Sequence, residues 1–228
     1  MDTTPRILLC GDTGITVEFG DRIDPEINSR VRRLFEALKS TKPLGVLDLN
    51  PTYRSLFIQY DPMACSFERL VQIVEEHVES GSDIGEEASK VREVPVCYGG
   101  EFGPDLDEVA SFHKLDPDEA VRLHCAPVYR VYMIGFTPGF PYLGGLDERL
   151  HTPRKSEPRK KVPAGTVGIA DQQTGIYPIE SPGGWQLIGR TPLKLFDPSR
   201  KAPFLIEAGD SVRFIPITRD EFERHSDT

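Results

Sequence analysis

Along the first eighty residues the apolar positions change period several times, and each change marks an element. ILLC and ITVEF are short apolar or alternating runs joined by a turn containing Gly11-Asp12, and they predict paired strands. Asp24-Pro25 starts a helix, after which Ile27, Val31, Leu34, Phe35 and Leu38 recur at helical spacing. GVLDLN and RSLFIQY predict two more strands before Asp61-Pro62 turns the chain. Ser66 then caps a second helix with Phe67, Leu70, Ile73, Val74 and Val78 on its apolar face. The order ββαββα predicts an α+β sandwich.

SGSDIGEEASK, from Ser80 to Lys90, carries several acids and little to bury, so it reads as a connection between two domains, placed at 1–85 and 86–228. VREVPVC begins a new strand. Two short helices follow, one near Leu106 to His113 and one from the N-cap Asp116 to about His124. Beyond PVYRVYMIGF the pattern changes: ten of the 20 glycines fall between Gly135 and Gly189, among prolines and short apolar runs such as VGIA and IYPIE. Many short strands with Gly/Pro turns predict a mainly β barrel or sandwich. LKLFD, APFLIEAG and SVRFIPI are expected as the last strands, with Gly209-Asp210 as a hairpin turn and a frayed polar tail.

Within that region GFTPGFPYLGG, Gly135 to Gly145, reads as a shaped loop. Pro138 and Pro141 lack backbone donors, and four glycines ease turning. Its large side chains Phe136, Phe140 and Tyr142 are unusual for a loop and raise the question of what they face.

Composition narrows the class. A chain of 228 residues, 38% apolar and 28% charged, has enough length for one large domain or two small ones. It contains no apolar run of 18 or more, and MDTTPRILLC lacks the pattern of a signal peptide, so a cytoplasmic location is expected. Cys10, Cys65, Cys97 and Cys125 are widely spaced, which predicts free, buried thiols and no metal site. The net charge of -9 argues against non-specific nucleic-acid binding.

Against that acidity, RLHTPRKSEPRKK, from Arg149 to Lys161, holds six Lys/Arg and the single acid Glu157. It is either a solvated loop or an anion-recognition element; prolines beside Arg154 and Arg159 restrain it as bidentate recognition requires. ESPGGWQLIGRTP, from Glu180 to Pro192, is the second candidate. Gly183-Gly184 permits close backbone approach, Trp185 is the only Trp, Glu180 and Ser181 could form an acid/base or hydrogen-bonding pair, and Arg190 offers a second anion contact. For Trp185 the alternative is a core or inter-strand anchor, and for Glu180 an exposed carboxylate at a strand end. His124 falls near a helix end, where a cationic ring would suit the dipole, and His151 lies within the basic run. HExxH, GxSxG, phosphate-loop and GxGxxG patterns are absent, so any ATP is expected on another polypeptide.

Taken together, GFTPGFPYLGGL, TPRKSEPRKKVPAGTVGIADQQTGIYP and ESPGGWQLIGRTPLKLFDP resemble one family, and GDTGITVEFG and LDLNPTYRSLFIQYDP resemble its N-terminal domain. The family is variously called allophanate hydrolase subunit 1, the inhibitor of the sporulation histidine kinase, and the B subunit of the bacterial ATP-dependent 5-oxoprolinase. The resemblance implies a small α+β domain followed by a cyclophilin-like β-barrel. It also implies two partners within 5-oxoprolinase: the C subunit, with a paired cyclophilin-like domain, and the A subunit, of the lactam-utilisation type. Similar paired domains form the carboxyltransferase unit of urea carboxylases, where the site lies between them.

The activity so implied is ATP-dependent opening of 5-oxoproline to L-glutamate by the assembled subunits, this chain being inactive alone, with ATP and its Mg bound mainly by a partner. Under that resemblance Arg154, Arg159 and Arg190 are expected to bind the substrate carboxylate or a phosphorylated intermediate. Gln173, Tyr177 and Ser181 would orient the amide or water, Glu180 or His124 would move protons, and Gly183, Gly184 and Trp185 would line the substrate. Phe136, Phe140 and Tyr142 would wall a cleft shared with the partner. The alternatives are an inhibitor that docks on a sensor histidine kinase, or a subunit of an allophanate- or urea-processing enzyme.

Overall fold

The computed structural model describes residues 4–80 and 91–226. Most of the expected connection at 80–90 therefore lies outside the described residues. The chain divides into two compact units, Met1–Ala88 and Ser89–Thr228.

The first unit contains β1 (Arg6–Leu9), β2 (Gly14–Glu18), α1 (Pro25–Thr41), β3 (Val46–Pro51), β4 (Ser55–Tyr60) and α2 (Phe67–Glu79). Its sheet is antiparallel throughout, in the order β1-β2-β4-β3. The start of α1 follows from Asp24, whose carboxylate accepts the Glu26 and Ile27 amides, and from Pro25, which has no amide to leave unsatisfied. Lys42, in the left-handed region at φ 46°, ends it. Val31, Leu34 and Leu38 of α1 and Leu70, Ile73 and Val74 of α2 meet Ile15, Val17, Leu56 and Ile58 of the sheet in one buried cluster. Asn28 is buried on the same face of α1 and donates to the carbonyls of Thr52 and Tyr53, tying the β3–β4 turn to the helix.

The second unit contains β5 (Val91–Tyr98), α3 (Leu106–Phe112), α4 (Pro117–Cys125), β6 (Tyr129–Gly135), β7 (Phe140–Gly144), a short 3-10 turn at Glu148–Leu150, β8 (Arg159–Val162), β9 (Thr166–Ala170), β10 (Gln173–Ile176), β11 (Ser181–Gly183), β12 (Gln186–Arg190), β13 (Ser211–Pro216) and α5 (Arg219–Ser226). Seven strands close into a barrel in the order β10-β7-β6-β13-β5-β12-β9, while β8 and β11 pair separately. All barrel pairings are antiparallel except β13 with β5. Val94, Val96, Tyr129, Val131, Leu143, Val167, Ile169, Ile188, Val212 and Phe214 fill the core.

Three expectations for this unit are corrected. The stretch read as a loop contains β7, which pairs with β6 along its length and with β10 at Tyr142 and Leu143. Pro141 is tolerated because it opposes Ile134 of β6 where β10 no longer pairs, so no ladder donor is missed on that side. Of LKLFD and APFLIEAG only a single bridge, Phe196 to Phe204, survives; β13 pairs with β5 and β6, so Gly209-Asp210 is not a hairpin turn. The tail is α5, anchored by Phe222 against Phe102 with ring centroids 4.6 Å apart.

Candidate functional site

At the start of β12 an aromatic layer lies outside the main barrel core. Phe140, Tyr177 and Trp185 are buried there with Val162, Ala170 and Leu187, and Tyr142 packs partly buried against them. Edge contacts link Phe140 to Tyr177 at 5.2 Å and to Trp185 at 5.3 Å, and Tyr142 to Trp185 at 6.1 Å. Arg154 lies over the Trp185 ring, 5.9 Å from its centroid, and its Nε is 3.4 Å from Asp171 Oδ2. Both members of that ion pair are more than half exposed, so it is weak and exchangeable with another anion. Asp171 occupies the tight β9–β10 turn at φ 52° and is bridged to Thr152 at the head of the basic segment.

The basic segment is not a free loop. Arg159 Nη2 donates to Asp105 Oδ1 at 2.6 Å and Lys155 Nζ to the same oxygen at 3.1 Å, while Asp105 Oδ2 accepts the Leu187 amide at 2.7 Å. Burial pushes the Asp105 carboxyl up, but hydrogen bonds from Arg159, Leu187 and Lys155 outweigh it and hold the group below the usual carboxylate range. Arg159 is thereby committed to Asp105 and is a clamp for the loop, which removes it from the set of free anion contacts. Arg190 is also separated from Arg154: it ends β12, while Trp185 precedes its first residue, roughly 3.3 Å being covered per strand residue. Arg190 instead lies over Phe102, at 5.9 Å, and its buried Nε meets no hydrogen-bond partner among the described residues. The three arginines thus do not form one cluster.

The remaining expected residues sort by depth. Ser181, in β11, is buried, and its hydroxyl has no hydrogen-bond partner among the described residues. Glu180 is exposed and paired with Lys161 at 3.0 Å, matching the strand-end alternative. Gln173 opens β10 opposite Ala170. Tyr177 is 1% exposed, and burial raises its hydroxyl to about 12 even though the Trp185 backbone bonds to it, so it is a packed anchor rather than a mobile proton carrier. Gly183 is required by that ring, since a Cβ there would collide with the Tyr177 hydroxyl; at Gly184 the nearest atom to a Cβ, on Pro158, is 3.6 Å away. Trp185, 5% exposed, serves as the inter-strand anchor yet still presents its ring to Arg154.

His124 needs correction as a proton carrier. It is fully buried among Tyr129, Phe214 and Tyr98, and burial depresses its pKa to about 3, so the ring is neutral rather than a cation at a helix end. Thr174 Oγ1 donates to the Gly168 carbonyl and so accepts from His124 Nε2, 2.8 Å away; His124 Nδ1 then accepts from the Tyr98 hydroxyl at 2.8 Å. Phe140, expected on a cleft wall, is 1% exposed and packs as core, whereas Phe136 is 62% exposed and in the left-handed region at φ 59°. His151 directs Nε2 to the Leu146 carbonyl. Of the thiols, Cys65 and Cys97 are buried, Cys125 is half-buried, and Cys10 is exposed, contrary to expectation.

Asp105, Gln186 and Asp171 went unnoticed in the sequence. Asp105 reaches partners 50 and 54 residues away, a separation over which no local pattern carries a signal. Among the described residues no helix is long and apolar enough to cross a membrane.

The family described as carboxyltransferase domain, subdomain C and D, matches residues 5–206. The 5-oxoprolinase B subunit of Bacillus subtilis (strain 168) is 42% identical over 95% of this chain and 95% of its own length. The protein of the same name from Haemophilus influenzae is 48% identical over 75% of this chain and 76% of its own. Among solved structures, that of TTHA0988 superposes with a TM-score of 0.81 at 42% identity, covering 90% of this chain and 40% of that longer one. The chain therefore belongs to the carboxyltransferase domain family, subdomains C and D, and within it to the 5-oxoprolinase B subunits.

Proposed function

We propose that this chain is the B subunit of an ATP-dependent 5-oxoprolinase, opening 5-oxoproline to L-glutamate only in company with the A and C subunits. The observation that carries the reading is the full-length relationship to a 5-oxoprolinase B subunit, 95% of each chain being matched at 42% identity. On this reading residues 1–85 are an α+β domain and 86–228 a cyclophilin-like barrel, and the protein works in the cytoplasm. ATP, with its Mg²⁺, binds on a partner and supplies the driving force for opening an unstrained lactam.

For this chain the reading assigns substrate contact to Arg154. Its guanidinium is half exposed, supported from below by Trp185, and ion-paired among the described residues with the exposed Asp171, so a substrate carboxylate can take Asp171's place. Tyr142, only partly buried beside Trp185, offers the apolar ring of the lactam a flat neighbour. The Ser181 hydroxyl is buried and has no hydrogen-bond partner among the described residues, which suits it to hold a water that orients the amide. Glu180, exposed beside Lys161, is the remaining proton-carrying group of the set. Of Phe136, Phe140 and Tyr142, Phe136 is the most exposed and the one best placed to meet a partner surface.

The test is affinity capture of the tagged chain from its native lysate, with the eluate assayed for ATP-dependent glutamate formation from 5-oxoproline. Co-purified subunits with that activity are expected. A sensor histidine kinase in the eluate with no glutamate formed would replace this reading with the inhibitor reading. In the active assembly, Arg154→Ala is expected to raise KM for 5-oxoproline about tenfold, the cost of one half-exposed charged contact; an unchanged KM removes Arg154 from the site.

A further inference from the structure

The basic segment is held by a carboxylate that lies outside it. Asp105 immediately precedes α3, is 3% exposed, and grips β12 twice, its amide donating to the Leu187 carbonyl at 2.9 Å and its Oδ2 accepting the Leu187 amide at 2.7 Å. Its Oδ1 holds Arg159 and Lys155, and Lys155 Nζ continues to Gln186 Oε1 at 3.3 Å and Glu108 Oε2 at 3.0 Å. Gln186 Nε2 in turn donates to the Pro153 carbonyl at 2.9 Å, and the Lys155 amide to the Gly184 carbonyl at 2.8 Å. Both sequence neighbours of Arg154, and both neighbours of Trp185, are therefore fastened to one another. Asp105 is the buried charge that joins Lys155 and Arg159 of the basic segment to Leu187 of β12.

We propose that Asp105 is a positioning residue for the carboxylate-binding site, clamping the segment 153–159 onto the turn before β12 so that the Arg154 guanidinium is held over Trp185. The inference rests on the reading of Arg154 as the carboxylate contact. Asp105 does not touch substrate; it acts through Lys155, Arg159 and Gln186. A neutral amide in its place keeps the shape but leaves the two cations without their shared counter-charge, and the segment loosens.

Trp185 is the only Trp, so its fluorescence reports the clamp independently of turnover. In the full chain, Asp105→Asn is expected to shift Trp185 emission to the red and increase its quenching by acrylamide. In the assembled enzyme the same change is expected to raise KM for 5-oxoproline on the order of tenfold while kcat stays within about twofold. Because Asp105 works through Arg154, adding Asp105→Asn to Arg154→Ala should leave KM where Arg154→Ala alone puts it. Unchanged emission and KM, a fall in kcat at constant KM, or effects on KM that multiply in the double variant would each overturn the proposal. Should Asp105→Asn fail to fold, Lys155→Met leaves the Asp105–Arg159 bond in place and must move emission and KM in the same directions; no movement overturns it equally. If Arg154→Ala has a normal KM, the carboxylate reading fails and the proposal with it. The emission shift then distinguishes that result from a clamp that never existed.

Discussion

Arg154, Arg159 and Arg190 look equivalent in the sequence, and folding gives each a different job. The difference lies in what each finds within reach: an exposed Asp171, a buried Asp105, or the Phe102 ring. None of those partners is a sequence neighbour, which is why residue type and proline spacing revealed a constrained basic segment but not which cation stays available. His124 teaches the same lesson about depth. Its position near a helix end was legible, but its solvent exposure depends on strands that close around it later in the chain. Because its folded pKa, about 3, is depressed below the ordinary 6.5, the folded protein keeps it neutral while the unfolded chain takes up a proton. Its stability contribution is therefore complete above pH 6.5 and is lost as pH falls toward 3, at up to about 1.4 kcal/mol per pH unit. Partial burial of His113 acts in the same direction. Urea denaturation of wild type and His124→Gln between pH 7 and pH 4.5 separates the two: the variant is expected to be less stable at pH 7 yet to lose less on acidification. Parallel curves would contradict the assignment.

Elements with local signals were the readable ones. Asp24-Pro25, Ser66 and Asp116 each fix a helix start through groups within three residues, and all three helices begin there. Asp24→Ala is expected to lower the denaturation free energy of the first unit by about 1 kcal/mol. Where pairing partners are distant the sequence misled: β7 reads as a loop because Pro141 and the prolines and glycines around it are judged without knowing that β10 ends beside Pro141. The β6–β7 hairpin also separates two aromatics that the sequence could not tell apart. Phe140→Ala removes a ring from a packed layer and should destabilise the isolated chain by about 3–5 kcal/mol. Phe136→Gly removes an exposed ring whose edge contact with Phe140 is 5.6 Å between centroids, and it relieves a left-handed residue, so the two effects offset and the isolated chain should change by less than about 1 kcal/mol. Assembly with the other subunits should weaken instead. Thermal melts of the two variants, read beside co-purification, decide the matter; an equal loss of stability in both would return Phe136 to the core.

At the scale of the molecule, the described residues form one apolar cluster within the first unit and two within the second. Residues 89–228 made alone are therefore expected to unfold cooperatively, with Trp185 emission matching that of the full chain; a non-cooperative melt would show that the barrel depends on the first unit. The change from mixed elements to Gly/Pro-punctuated strands was visible in composition, but the order of strands around the barrel was not. That order depends on β13, which inserts between β5 and β6 with Val91 opposite Ser211. This pairing has a consequence for synthesis. While a ribosome is still making the chain, β5 and β6 have long emerged with one side each waiting for a strand that does not yet exist. Any message cut short or stalled before codon 211 releases a protein with two raw strand edges facing solvent, the geometry from which aggregates grow. The barrel can close only once residues 211–216 are available to fill that gap, so completion of β13 is the step that removes both edges.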